Sequence, residues 1–111
     1  MKGVWFIKYW GGGGFTKSGV PDILCCVCGR FLAIEVKASN GHPTELQCST
    51  LSKIDEAGGM AILLYPDHET LFKNMIDCIV AGDIYNAQYN YSIFKKRTEK
   101  EWESLKNRYT T

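Results

Sequence analysis

Residues 21–37 read PDILCCVCGRFLAIEVK, and the way this stretch bends on itself decides the fold. Val20 to Cys28 and Arg30 to Lys37 are both rich in aliphatic and β-branched residues around Gly29, the pattern of two strands joined as an antiparallel hairpin. With Cys28-Gly29 as a two-residue loop, paired residues have numbers that sum to 57. Asp22 then lies opposite Glu35, and directly opposed residues share a face with Cβ atoms roughly 4.5 to 5.5 Å apart. Leu24 and Ala33 continue that face, and Lys37, two residues beyond Glu35, points the same way. The opposite face collects Ile23, Cys25, Leu32 and Ile34, an apolar surface for a core. The expected pattern separates a polar end from a buried side.

Upstream of the hairpin, Val4 to Trp10 is β-branched and aromatic and stops at Gly11–Gly14, so it predicts a strand followed by a mobile loop that carries Lys17 and Ser18. Downstream, SNGHP reads as a loop, and Thr44 with Gln47 has the spacing of a capping box. Leu51, Ile54 and Ala57 then recur on one helical face before Gly58-Gly59 stops it. Met60 to Tyr65 is a continuous apolar run, as expected of a strand buried on both sides. Glu69 to Ala81 repeats Leu71, Met75 and Ile79 at helical spacing up to Gly82. From Phe94 to Tyr109, Trp102, Leu105 and Tyr109 share one face of a charged segment, predicting a terminal helix that docks on its own core or on a partner. Strand, hairpin, helix, strand, helix is the order of an α/β fold with a mixed central β-sheet flanked by helices.

At 111 residues the chain suits a single domain. Its composition, 45% hydrophobic and 23% charged, is that of a globular protein, and no apolar run approaches a membrane span. The start lacks the apolar stretch of a secretory signal, so a cytoplasmic location is the expectation. Five cysteines, an odd number in a chain able to bury a core, read as reduced thiols and not as a disulfide framework. A net charge of +1 leaves any affinity for nucleic acid to local placement.

Two carboxylates side by side repel, and Glu35 and Lys37 sit in an otherwise apolar strand where unneeded charge is disfavoured. A divalent cation offsets that charge. Mg²⁺ takes oxygen ligands, prefers one or two carboxylates plus water, and could add the backbone carbonyl of Val36 to Asp22 and Glu35. Such an ion generates hydroxide from bound water, and the Lys37 ammonium is placed to orient that water. The bland alternative is a surface salt bridge of Asp22, Glu35 and Lys37. Two rival motifs are weaker. GGGGFTKS nearly spells a phosphate-binding P-loop, but Pro21 follows too closely for the helix that such a loop requires. Cys25 and Cys28 have half a zinc-ribbon spacing without a second pair, and buried strand cysteines are the plainer reading.

The elements SGVPDI, GRF and AIEVKASNGHPTELQ together resemble the VRR-NUC domain, a branch of the PD-(D/E)xK nucleases. Pro21-Asp22 matches the PD element, Glu35-Val36-Lys37 the ExK element, and Gly41, Thr44 and Gln47 the G…T…Q run of this branch, over about residues 8–64. The resemblance implies a restriction-endonuclease-like fold and Mg²⁺- or Mn²⁺-dependent hydrolysis of DNA. Asp22, Glu35 and the Val36 carbonyl would hold the metal, and Lys37 and Gln47 would join them in catalysis. Branched or flapped DNA is the associated substrate, and small stand-alone members of phage type resemble Holliday junction resolvases that act as homodimers. Thr44 and the flanking Lys8 and Lys17 are candidate DNA contacts. Gln47 carries two expectations, capping and site contact. Family members usually begin with a helix whose Glu completes the metal site; the expectation here is either that the gene begins late or that a partner chain or the C-terminal helix, with Glu99, Glu101 and Glu103, takes its place.

Overall fold

The computed structural model describes residues 3–9 and 19–102. The chain forms β1 (Val4–Lys8), β2 (Ile23–Val27), β3 (Arg30–Val36), α1 (Glu45–Glu56), β4 (Met60–Leu64), a 3₁₀ turn (Pro66–His68), α2 (Glu69–Val80) and α3 (Ile84–Arg97). The strands lie in the order β1-β2-β3-β4 in one four-stranded sheet. β1, β2 and β3 are antiparallel neighbours, and β4 joins β3 in parallel through the crossover that contains α1. The fold is therefore α/β with a mixed sheet. The glycine-rich loop with Lys17, and Leu105 and Tyr109, lie outside the described residues.

The hairpin has the expected register, with Ile23 opposite Ile34 and Val27 opposite Arg30. Its loop is set by two positive φ angles, 49° at Cys28 and 83° at Gly29, which give the twist that flanking strands need. Cys28 accepts the left-handed conformation against the usual preference of a residue with a side chain. Thr44 starts α1 with both bonds of the capping box, and Gly58, at φ 95°, follows its last turn.

One face of the sheet presents Cys25, Val27, Leu32, Ile34, Met60 and Ile62 to Met75 and Ile79 of α2 and to Ala87, Tyr91 and Phe94 of α3. Alternation sends Ala33, Glu35, Ala61 and Leu63 to the other face, beneath α1, where Cys48 and Leu51 are buried. This second face is thus a core as well, which corrects the expected division into a polar end and a single buried side. Among the strands, α1 packs chiefly on β4 and β3. The β1–β2 portion keeps Trp5, Phe6, Ile7 and Cys26 exposed.

The last helix differs from expectation. It begins at Ile84, not Phe94, with the Asp83 side chain accepting from the Asn86 amide, and it ends at Thr98 before a further helical stretch over residues 99–102. Ala87, Tyr91 and Phe94 form its buried stripe. Tyr91 carries a polar duty there: its hydroxyl donates to Asp55 Oδ1 at 2.7 Å and accepts from the Ala61 amide at 3.0 Å. That gives a partner to a backbone N–H of β4, the strand at the sheet edge. Trp102 turns back on its own chain, its indole donating to Thr98 Oγ1 at 3.0 Å.

Candidate functional site

The site begins where the hairpin ladder ends. Asp22 stands one residue before β2, and its carbonyl accepts from the Tyr9 amide at 2.7 Å, so β1 fixes its backbone. Asp22 and Glu35 then clasp each other across the strands. The Asp22 amide donates to Glu35 Oε2 at 3.2 Å, and Asp22 Oδ2 accepts from the Val36 amide at 2.9 Å. Each carboxylate thus bonds the backbone of the opposite strand.

Glu35 is only 2% exposed, unusual for a carboxylate. Its Oε1 accepts from Gln47 Nε2 at 2.7 Å and lies 3.5 Å from Lys37 Nζ. Burial pushes its pKa above the ordinary carboxylate range, and the Asp22 charge adds to that; Lys37 and the hydrogen bonds pull in the opposite direction. The net effect is a carboxylate whose ionised form is under-compensated by the protein alone. Lys37 is anchored beside it, since its amide donates to the Leu64 carbonyl at 2.9 Å and so ties β3 to the end of β4.

Gln47 serves both expected roles with one amide group. Its Oε1 accepts from the Thr44 backbone at 2.9 Å, closing the capping box, and its Nε2 donates to Glu35. Thr44 returns the bond by accepting from the Gln47 amide at 3.1 Å, so its hydroxyl caps α1 while the residue stays exposed. Val36, between Glu35 and Lys37, gives its amide to Asp22 and leaves its side chain exposed.

Asp22, Glu35, Lys37 and Gln47 are therefore brought together; other candidates are not. Lys8 pairs with Ile23, so strand alternation sends it to the α2–α3 face, opposite the carboxylates. Glu101 bonds His42 instead, its Oε1 lying 3.0 Å from His42 Nδ1, while its backbone carbonyl accepts from Cys48 Sγ at 3.6 Å. Glu99 is exposed, and Glu103 and Lys17 are outside the described residues. Two contributors had no sequence signal. Tyr65 donates to the Gly41 carbonyl at 2.9 Å and pins the loop between β3 and α1, and His42 recruits Glu101 to that loop.

All five cysteines are free thiols, and among the described residues no group of three or more His, Cys, Asp or Glu forms a metal cage. The oxygen donors of Asp22 and Glu35 fit instead a hard cation that keeps most of its waters. Asp22 Oδ1 makes no hydrogen bond among the described residues, and Glu35 Oε2 accepts there only from the Asp22 amide, which leaves it a lone pair. Among the described residues no helix is long and apolar enough to cross a membrane. No protein family, curated protein or solved structure matches the chain.

Proposed function

We propose that this chain is a Mg²⁺- or Mn²⁺-dependent endodeoxyribonuclease of the PD-(D/E)xK type, resembling the VRR-NUC branch and sharing its restriction-endonuclease-like fold. One observation carries the reading: two carboxylates from neighbouring strands lock together, one buried and protonated more readily than usual, with an ammonium 3.5 Å away. A surface salt bridge does not call for burial of Glu35, whereas a cation site gains from it because a dry carboxylate attracts a divalent ion more strongly.

The bound cation would supply Lewis acidity and an acidified water. Asp22 and Glu35 would hold it through free oxygen lone pairs. Lys37 would orient the attacking water and stabilise charge developing on the phosphate, and Gln47 would keep the Glu35 carboxylate from rotating. The substrate is DNA, branched or flapped. Because one site cuts one strand, resolution of a junction would need a homodimer with two sites related by a two-fold axis.

The test is incubation of the purified chain with a four-way junction, a flap and a plain duplex in Mg²⁺ or Mn²⁺, alongside Glu35→Ala. Cleavage by wild type and loss of at least about 10³-fold in the variant is the expected result. Cleavage that survives the substitution would falsify the assignment. A second reading is a nuclease-fold DNA-binding or assembly module with weakened catalysis. It is favoured by the lack of a third acidic residue beside Asp22 and Glu35 among the described residues. Binding of junction DNA with no cleavage under any metal condition selects it.

A further inference from the structure

A cavity of about 430 Å³ opens beside the candidate site, past the carboxyl ends of the parallel strands β3 and β4, where open α/β sheets bind their ligands. Ser39, three residues after β3 ends, forms one wall, and Tyr65 and His68 form the wall after β4. Arg97, Thr98 and Lys100, where α3 ends, close the other side.

The charges in this cavity are unequal in their availability. Elsewhere Lys37, Lys73 and Lys95 each have a carboxylate partner, while Arg30, Lys53 and Lys96 have none among the described residues. Among the described residues Arg97 and Lys100 have none, although both are on the wall. The cavity also holds two carboxylates, each with a neighbour of its own: Glu101 Oε1 lies 3.0 Å from His42 Nδ1, and Asp67 Oδ1 lies 3.7 Å from His68 Nε2. His68 adds a second observation. Its side chain is 91% buried, edge-on to the rings of Tyr65 and Phe94, and its Nδ1 is enclosed without a hydrogen-bond partner. A buried polar atom without a partner is the kind of group that an ordered water or ion satisfies.

We infer that this cavity binds a phosphate group through Arg97 and Lys100, supplied by the nucleic-acid strand that the Asp22–Glu35 site acts on. The guanidinium gives two parallel donors to phosphate oxygens and the ammonium a point charge, while the Ser39 hydroxyl is a further donor. Ser39 lies only two residues from Lys37, so one strand can occupy both places. The inference rests on the nucleic-acid part of the nuclease reading, and not on hydrolysis.

The experiment is titration of the full chain, without divalent cation and at low salt, with single-stranded oligonucleotides of one sequence bearing a 5′-phosphate or a 5′-hydroxyl. The double substitution Arg97→Ala with Lys100→Ala is expected to weaken binding about tenfold and to lower the salt slope by roughly 1 to 2. Lys73→Ala, a charge removed from the exposed face of α2, should change binding less than twofold. Loss confined to the phosphorylated strand assigns the ligand to a strand end, and equal loss for both assigns it to an internal phosphodiester. Inorganic phosphate should shift the amide resonances of Ser39, His68 and Lys100. An affinity unchanged in the double variant, or phosphate shifts confined to other residues, overturns the inference while leaving the cleavage assay to judge the site. Binding that depends on Arg97 and Lys100 without any cleavage keeps the cavity and removes the nuclease reading.

Discussion

The two faces of the sheet come from the same strands, yet they are used differently. On the α2–α3 side the buried strand positions from Cys25 to Ile62 are apolar, and the layer is closed by Met75, Ile79 and Phe94. On the α1 side the rows run apolar through Ala33 and Ala61 and then change at the last row to Glu35, with Asp22 and Lys37 beside it. A single strand, β3, thus gives one row of alternate residues to the α2–α3 core and ends the other row at the carboxylate pair. Because strand alternation separates the two, a substitution on one face should disturb the property of that face and spare the other.

The strongest break of that comparison is Lys37→Ala, expected to remove at least about 10³-fold of turnover while the thermal transition stays within a few degrees, read by a DNA-cleavage assay and by calorimetry. Its counterpart on the other face is Leu32→Ala, which empties a fully buried position and should cost about 2 to 5 kcal/mol in denaturant unfolding, with cleavage per folded molecule unchanged. Cleavage that falls in step with folded stability in Lys37→Ala would dissolve the distinction. Tyr91→Phe leaves the Ala61 amide without its partner, and a loss of about 1 to 3 kcal/mol is expected. Thr44→Ala should lose about 1 kcal/mol through the missing cap.

An effect of about 1.4 kcal/mol, at tenfold excess over the dissociation constant, is expected from Mn²⁺ on thermal stability. Its pH dependence has a definite sign. Because the folded state raises the Glu35 pKa, the metal-free fold takes up a proton there more readily than the unfolded chain does. This group therefore favours folding as pH falls from neutral through its folded pKa, and that contribution is lost as pH rises. Mn²⁺ competes with the proton, so stabilisation by the ion should be full near neutral pH and fade as Glu35 protonates, above the usual carboxylate range. A Mn²⁺ shift that does not change between neutral and acidic pH would place the ion elsewhere.

The residues differ in how far they announced these roles. A two-residue loop leaves the hairpin one register, so the meeting of Asp22 and Glu35 followed from counting. The capping box was equally legible, because it is a local pattern with a fixed spacing. The start of α3 was not, since its buried stripe is Ala87, Tyr91 and Phe94, set among Asn, Gln and Tyr that weaken an apolar periodicity. The apolar character of the second face was hidden for another reason: Leu24 and Ala33 looked like companions of the carboxylates until α1, placed by tertiary packing, covered Ala33. The contact of His42 with Glu101 and the cavity shared by Ser39 and Arg97 each bring together residues more than fifty positions apart, and no local spacing encodes them.

The shared amide of Gln47 has a kinetic meaning. Its oxygen serves the first turn of α1 and its nitrogen the Glu35 carboxylate, so fraying of the helix start removes one of the bonds that hold that carboxylate. Opening of that turn and loosening of Glu35 are thereby coupled, and exchange of the Gln47 backbone hydrogen with solvent would time the first step.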